Sequence, residues 1–126
     1  MAERLVVIGG DAAGMSAASQ ARRMRGTDDL EIMVFEQSEY VSFSACGEPY
    51  FVGGWVEDFD DLKVRTPEQF QANGIDARIH HQVTVIDLAA GRVEVRHPGG
   101  LDEFGYDQLL YATGATAIRP PIEGID

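Results

Sequence analysis

The chain has one cysteine, Cys46, among its 126 residues. A lone thiol cannot build a disulfide framework, and no Cys/His cluster has the spacing of a zinc site. Basic residues are also scarce: 10 Lys and Arg face 21 Asp and Glu, for a formal net charge of −11. Nucleic acid and anionic membranes both demand a basic face, so this balance argues against them as partners. An anionic small molecule held by a local cluster of donors stays open, and Arg22, Arg23 and Arg25 form the densest basic run. No apolar stretch approaches the ~18 residues of a membrane span, and MAERLVVIGG lacks the long apolar region of a secretory signal. These absences predict a cytoplasmic protein. His80 and His81 are adjacent, and on a strand they point to opposite faces, which favours a solvated or packed pair over a shared metal. There is no internal repeat and no low-complexity segment.

What is present reads as one α/β domain. Hydrophobic residues make up 44% and charged residues 25%, enough for a real core at this length. Leu5 to Ile8 is a short apolar run ending at Gly9-Gly10, the pattern of a parallel strand buried on both faces. Asp11 to Arg25 is rich in helix formers and is stopped by Gly26; Glu31 to Phe35 is a second strand. Strand, helix, strand in this order predicts a βαβ unit with a parallel sheet. Thr66-Pro67-Glu68 starts a helix that Gly74 ends, with Thr66 as its cap. Ala77 to Asp87 and Gly91 to His97 predict an antiparallel hairpin, or the start of a meander, and Pro98-Gly99-Gly100 turns the chain again. Gln108 to Ala112 returns to a buried-strand pattern, and Arg119-Pro120-Pro121 reads as an extended exit.

The first βα turn is built to hold a phosphate. Free N–H groups and the dipole of the helix favour an anion there, provided no side chain blocks its approach. Gly9, followed by Gly10, permits the turn, Gly14 lets helix and strand approach, and Ala12, Ala13, Ala17 and Ala18 keep that helix thin. Glu36, closing the second strand, is placed to accept hydrogen bonds from an adenosine ribose, with Gln37 beside it. Asp11 stands where the middle glycine of the usual pattern would be, so its carboxylate must turn away, toward neighbouring backbone N–H groups.

Cys46 lies among Ser42, Ser44, Ala45 and Gly47, residues too small to be there for bulk packing. At a helix N-terminus in a positive field a thiol shifts toward thiolate, its reactive form. With no second cysteine, its resolving partner must come from outside, as a substrate thiol or as oxygen giving a sulfenate. The alternative is a buried free cysteine acting as a small hydrophobe.

The ordered set VVIGGDAAG, the FE pair at 35–36, SFSACGEPYFVGG and YDQLLYATGA resembles the FAD domain of the pyridine nucleotide-disulfide oxidoreductases. It is most similar to their single-cysteine branch of coenzyme A-disulfide reductases, NADH oxidases and NADH peroxidases. The resemblance implies that FAD pyrophosphate meets the turn at Gly9 to Gly14, and that Glu36 meets the ribose. It further implies that Val83 offers its backbone to the adenine and that Ala112, Thr113 and Gly114 line the flavin nucleotide. Cys46 would be the catalytic thiol next to the flavin, with NADH or NADPH as the electron donor.

Pro49-Tyr50 and Gly53-Gly54 look like the coenzyme A branch. Ser16, Gln20 and Arg23 fall on one stripe of the first helix, at positions whose counterparts contact coenzyme A, as does that of Ser42. Ala45 stands where those reductases commonly carry asparagine, which keeps polysulfide or persulfide sulfur open as a substrate. An oxidase or peroxidase cycling Cys46 through sulfenic acid, and a non-catalytic nucleotide-binding module, are the competing readings. Complete members continue into NAD-binding and dimerisation domains and act as homodimers. Residues 1–126 are therefore expected to be the N-terminal part of the FAD domain, holding FAD weakly or not at all when alone and leaving a strand edge unpaired.

Overall fold

The computed structural model describes residues 1–125. Its elements are β1 (Glu3–Ile8), α1 (Ala12–Met24), β2 (Leu30–Phe35), α2 (Glu48–Val52), α3 (Pro67–Ala72), β3 (Asp76–Arg78), β4 (Gln82–Asp87), β5 (Arg92–His97), β6 (Gly100–Gly105) and β7 (Gln108–Tyr111). Four strands form a parallel sheet in the order β3-β2-β1-β7, and β4-β5-β6 form a separate antiparallel meander. This is the expected Rossmann-like α/β architecture.

The apolar runs of β1 and β2 follow from burial on both faces. Val7, Ile32 and Val34 point to one side and pack with Met15 and Ala18 of α1 and Phe70 of α3. Val6, Ile8, Met33 and Phe35 point to the other side and meet Val93 and Val95 of β5. The sheet is thus a middle layer, with helices on one face and the meander on the other. Val6, Val7, Val34, Val93 and Val95 are fully buried, each worth roughly 1.5–3 kcal/mol relative to an exposed side chain.

The basic run at the end of α1 divides its labour. Arg22 donates to the carbonyl oxygens of Gly74 (3.2 Å), Arg25 (3.0 Å) and Leu30 (2.6 Å), tying α1 to β2 and to the exit of α3. Arg25 pairs with Asp29 and Glu3. Arg23 is the exposed one of the three, and its guanidinium bonds the neutral Gln20.

Three expectations need correction. The run from Ala77 to Asp87 is two strands in different sheets. His80 takes a left-handed φ of 55°, and the His80 and His81 N–H groups donate to Ser38 (3.0 Å) and Glu36 (2.9 Å) oxygens, which bends the chain out of the parallel sheet. His81 consequently leaves the strand geometry assumed for it and stacks between Phe35 and His97, with centroids at 6.2 and 5.0 Å. The expected meander itself is present and is completed by β6, whose acidic GLDEFG sequence lies mostly exposed and so carries no buried-strand signal of its own. Finally, β7 is a half-exposed edge strand, because only β1 pairs with it among the described residues.

Candidate functional site

The turn after β1 admits no side chain. Gly9 has a φ of +107°, and a Cβ there would sit 2.0 Å from the Ala112 oxygen. A Cβ on Gly14 would sit 1.8 Å from the Gly9 oxygen, so α1 can approach β1 this closely only as glycine. Asp11 caps α1 in an extended conformation but makes no side-chain bond to the helix. Its Oδ1 instead accepts from the Phe43 N–H at 3.1 Å, turned away from the turn as charge repulsion requires. The first N–H groups of α1 are thereby left for an anion.

Glu36 is held firmly at the carboxyl end of β2. Its Oε2 accepts from Gly10 N–H at 2.7 Å and its Oε1 from Ser38 N–H at 2.8 Å, leaving lone pairs on both oxygens for a ligand. Around it run two joined recesses of about 100 and 270 Å³ that share Gly9, Glu36 and Thr113. The first adds Phe35, Gln37, His81 and Val83; the second adds Asp11, Tyr40, Phe43, Ala112 and Gly114. Together they make a groove across the carboxyl ends of β1, β2 and β7, the place where open α/β sheets bind ligands. Gly10 and Gly14 are buried beneath it, Ala13 is exposed, and Ala12 faces a different cleft. The Tyr40 hydroxyl in the groove wall titrates above the usual tyrosine range, chiefly because it hydrogen-bonds Glu39.

The cysteine segment is fastened on both sides. Ser42 N–H donates to the Gly10 oxygen at 2.8 Å, which joins Phe43–Asp11 in fixing the segment to the glycine turn. On its other side Ser44 N–H donates to Leu62 O (2.7 Å) and Val64 N–H to Ser42 O (2.9 Å), an antiparallel bridge centred on Phe43 and Lys63. Ser42 holds a left-handed φ of 53°, a conformation costing about 1–3 kcal/mol that such paired contacts sustain. Tyr40, Phe43, Phe51 and Phe59 stack in an aromatic cluster beneath the segment. Cys46 then emerges in a 3-10 turn, Ala45–Gly47, directly ahead of α2, and is exposed. Among the described residues the thiol is thus not packed in the core as a small hydrophobe would be. A Cβ on Gly47 would meet Leu62 at 2.5 Å, so the residue after the thiol must be small.

A second cleft, about 280 Å³, opens on the helix side. Ser16, Arg23 and Ser42 line it together, as do Ala12, Val64 and Arg65. Gln20 stands behind Arg23, its Oε1 accepting from Arg23 Nη2 at 2.6 Å and Nε at 3.1 Å. The structure thus gathers the helix stripe and the serine, which are far apart in sequence. Arg65 and the aromatic cluster escaped the sequence reading, since only the pairing of 42–44 with 62–64 brings them to the site.

With this geometry described, comparison with known proteins is informative. Residues 3–126 match the family model described as pyridine nucleotide-disulphide oxidoreductase. An NAD(P)H coenzyme A polysulfide/persulfide reductase of Pyrococcus horikoshii is 41% identical over the whole of this chain and 27% of its own length. An NADH oxidase of Methanocaldococcus jannaschii is 36% identical over 98% of this chain and 28% of its own. The structure of an NAD-dependent persulfide reductase from A. fulgidus superposes with a TM-score of 0.91 at 44% identity, over 98% of this chain and 23% of that one. The chain therefore spans about a quarter of the length of these relatives.

Proposed function

The chain belongs to the pyridine nucleotide-disulphide oxidoreductase family, and on that premise we propose that it is the FAD-binding, cysteine-bearing part of an NAD(P)H-dependent reductase of coenzyme A disulfide, or of related persulfide or polysulfide sulfur. The observation that carries this reading is the clamp between Ser42-Phe43 and Gly10-Asp11, which ties an exposed thiol to a dinucleotide turn. The groove suits FAD. Its turn rejects any Cβ at Gly9, its Glu36 has free lone pairs, and Gln37, Val83, Ala112, Thr113 and Gly114 lie along its walls. The pyrophosphate would rest against Gly10 to Gly14 and the adenosine against Glu36 and Val83. Bound there, FAD supplies the two electrons drawn from NADH or NADPH.

The chain's own residues carry the sulfur chemistry. The Cys46 thiolate attacks one sulfur of the substrate disulfide, the S–S bond breaks, and one thiolate leaves and takes a proton. Cys46 is left in a mixed disulfide, which two electrons and a proton return to thiolate and a second thiol. Ser16, Gln20, Arg23 and Ser42 hold the substrate beside it, Arg23 by charge-assisted bonds to phosphate. The working protein is a cytoplasmic homodimer in which residues 1–126 form the first part of the FAD domain.

Mass spectrometry of the whole protein purified without reductant tests this directly. An adduct of coenzyme A size on Cys46 is expected, and Cys46→Ser should abolish both adduct and disulfide turnover. Added oxygen atoms alone, with NADH consumption indifferent to coenzyme A disulfide, would move the assignment to the oxidase and peroxidase relatives.

A further inference from the structure

We infer that Arg65 is a second phosphate grip, which makes the helix-side cleft lined by Ser16, Arg23 and Ser42 selective for disulfides that carry phosphate or diphosphate groups. The inference rests on the reading above and adds a residue that the helix stripe does not contain. The chain has more than twice as many acids as bases, yet Arg23, Arg65 and Arg96 form no ion pair among the described residues, and of these three only Arg23 and Arg65 share a cleft. Arg4, Arg25, Lys63, Arg78 and Arg92 are all paired with Asp or Glu, and Arg22 is spent on backbone oxygens. Arg23 bonds the neutral Gln20, and Arg65 lies over the ring of Phe70 at 6.0 Å; neither forms an ion pair among the described residues. Both line the same cleft.

The position of Arg65 is fixed from both sides. Val64 N–H is bonded to Ser42 O, and Thr66 begins α3 with a reciprocal capping box to Gln69. Arg65 sits between these anchors, so its backbone has little freedom while its guanidinium stays exposed. Two arginines that line one cleft together with Ser16 and Ser42 offer fork-shaped donors to more than one phosphate oxygen. A cleft of about 280 Å³ has room for a phosphate-bearing group, and Ser42 on its lining belongs to the segment that leads to Cys46.

The test compares Arg65→Gln and Arg65→Lys with the parent in the whole flavin-loaded protein, using flavin content and melting temperature to establish folding. Substrates are coenzyme A disulfide and pantethine, which has the same disulfide arm without phosphates. Arg65→Gln should raise KM for coenzyme A disulfide about tenfold, with kcat and the pantethine KM changing less than twofold. Arg65→Lys should recover part of the loss, and the salt dependence of KM should flatten in the glutamine variant. Direct titration with adenosine 3′,5′-bisphosphate should show the same tenfold weakening. If the parent reduces coenzyme A disulfide but the glutamine variant leaves KM and titration unchanged, the Arg65 inference is wrong and the functional reading stands. If the parent ignores coenzyme A disulfide yet binds the bisphosphate through Arg65, the functional reading fails and the grip stands.

Discussion

Glu36 shows how one residue can be both structure and site. Two backbone N–H groups, from Gly10 and Ser38, fix its carboxylate while lone pairs remain for a ribose. Only a full carboxylate serves all of these. Glu36→Gln turns an NH2 toward one of the two amides, donor against donor, and leaves that amide unsatisfied. The expected loss is about 2 kcal/mol of stability by denaturant unfolding, together with a fall in flavin retained on gel filtration. Unchanged flavin content would count against Glu36 as a cofactor ligand. Asp11 works on the same scale: an acid in a phosphate loop is tolerable because it is spent on the Phe43 N–H, and that bond also orients the cysteine segment.

Among the elements, α3 is short and owes its register to its ends. Thr66 accepts from Gln69 N–H at 3.3 Å while Gln69 Oε1 accepts from Thr66 N–H at 2.9 Å, and Pro67 needs no partner for its nitrogen. Phe70 then buries one turn on, against the helix-side core. Thr66→Ala should cost about 1 kcal/mol, measured by thermal or denaturant unfolding, with faster amide exchange confined to α3. Because Arg65 precedes the cap, the same variant should also weaken coenzyme A disulfide binding modestly without touching the flavin. The meander is coupled to the parallel sheet through Val93 and Val95, so its role is to wall the groove at Val83 and His81.

At the scale of the whole molecule, the parallel sheet ends in an open edge. β7 pairs only with β1 among the described residues, Tyr111 is 67% exposed, and Ile118 beyond it is 90% exposed. An unprotected edge strand with exposed apolar side chains invites pairing with another chain. The groove wall formed by Ala112 to Ala115 is itself largely exposed. Expressed as these 126 residues, the chain should carry less than one flavin per molecule and elute as mixed oligomers, whereas the whole protein should hold flavin stoichiometrically. Tight, stoichiometric flavin in a monomeric 126-residue chain would overturn the view that the remaining cradle lies elsewhere.

Several features were settled locally. The βαβ start, the need for glycine at positions 9 and 14 and the Thr66 cap all follow from short-range rules of sterics, capping and periodicity, and they are legible from neighbours in sequence. Other features depend on contacts between distant segments. No local rule says that Ser42 to Ser44 will pair with Leu62 to Val64, or that His80 will bend the chain into a second sheet. The exposed acidic strand β6 is defined only by the ladder of β5 beside it. For the same reason Arg65 reads in the sequence as one more surface charge, and becomes part of a site only when the folded chain brings it to the cleft that Arg23 also lines. Backbone preferences act over a few residues, whereas a binding cleft is a property of surfaces that meet only after the core has closed.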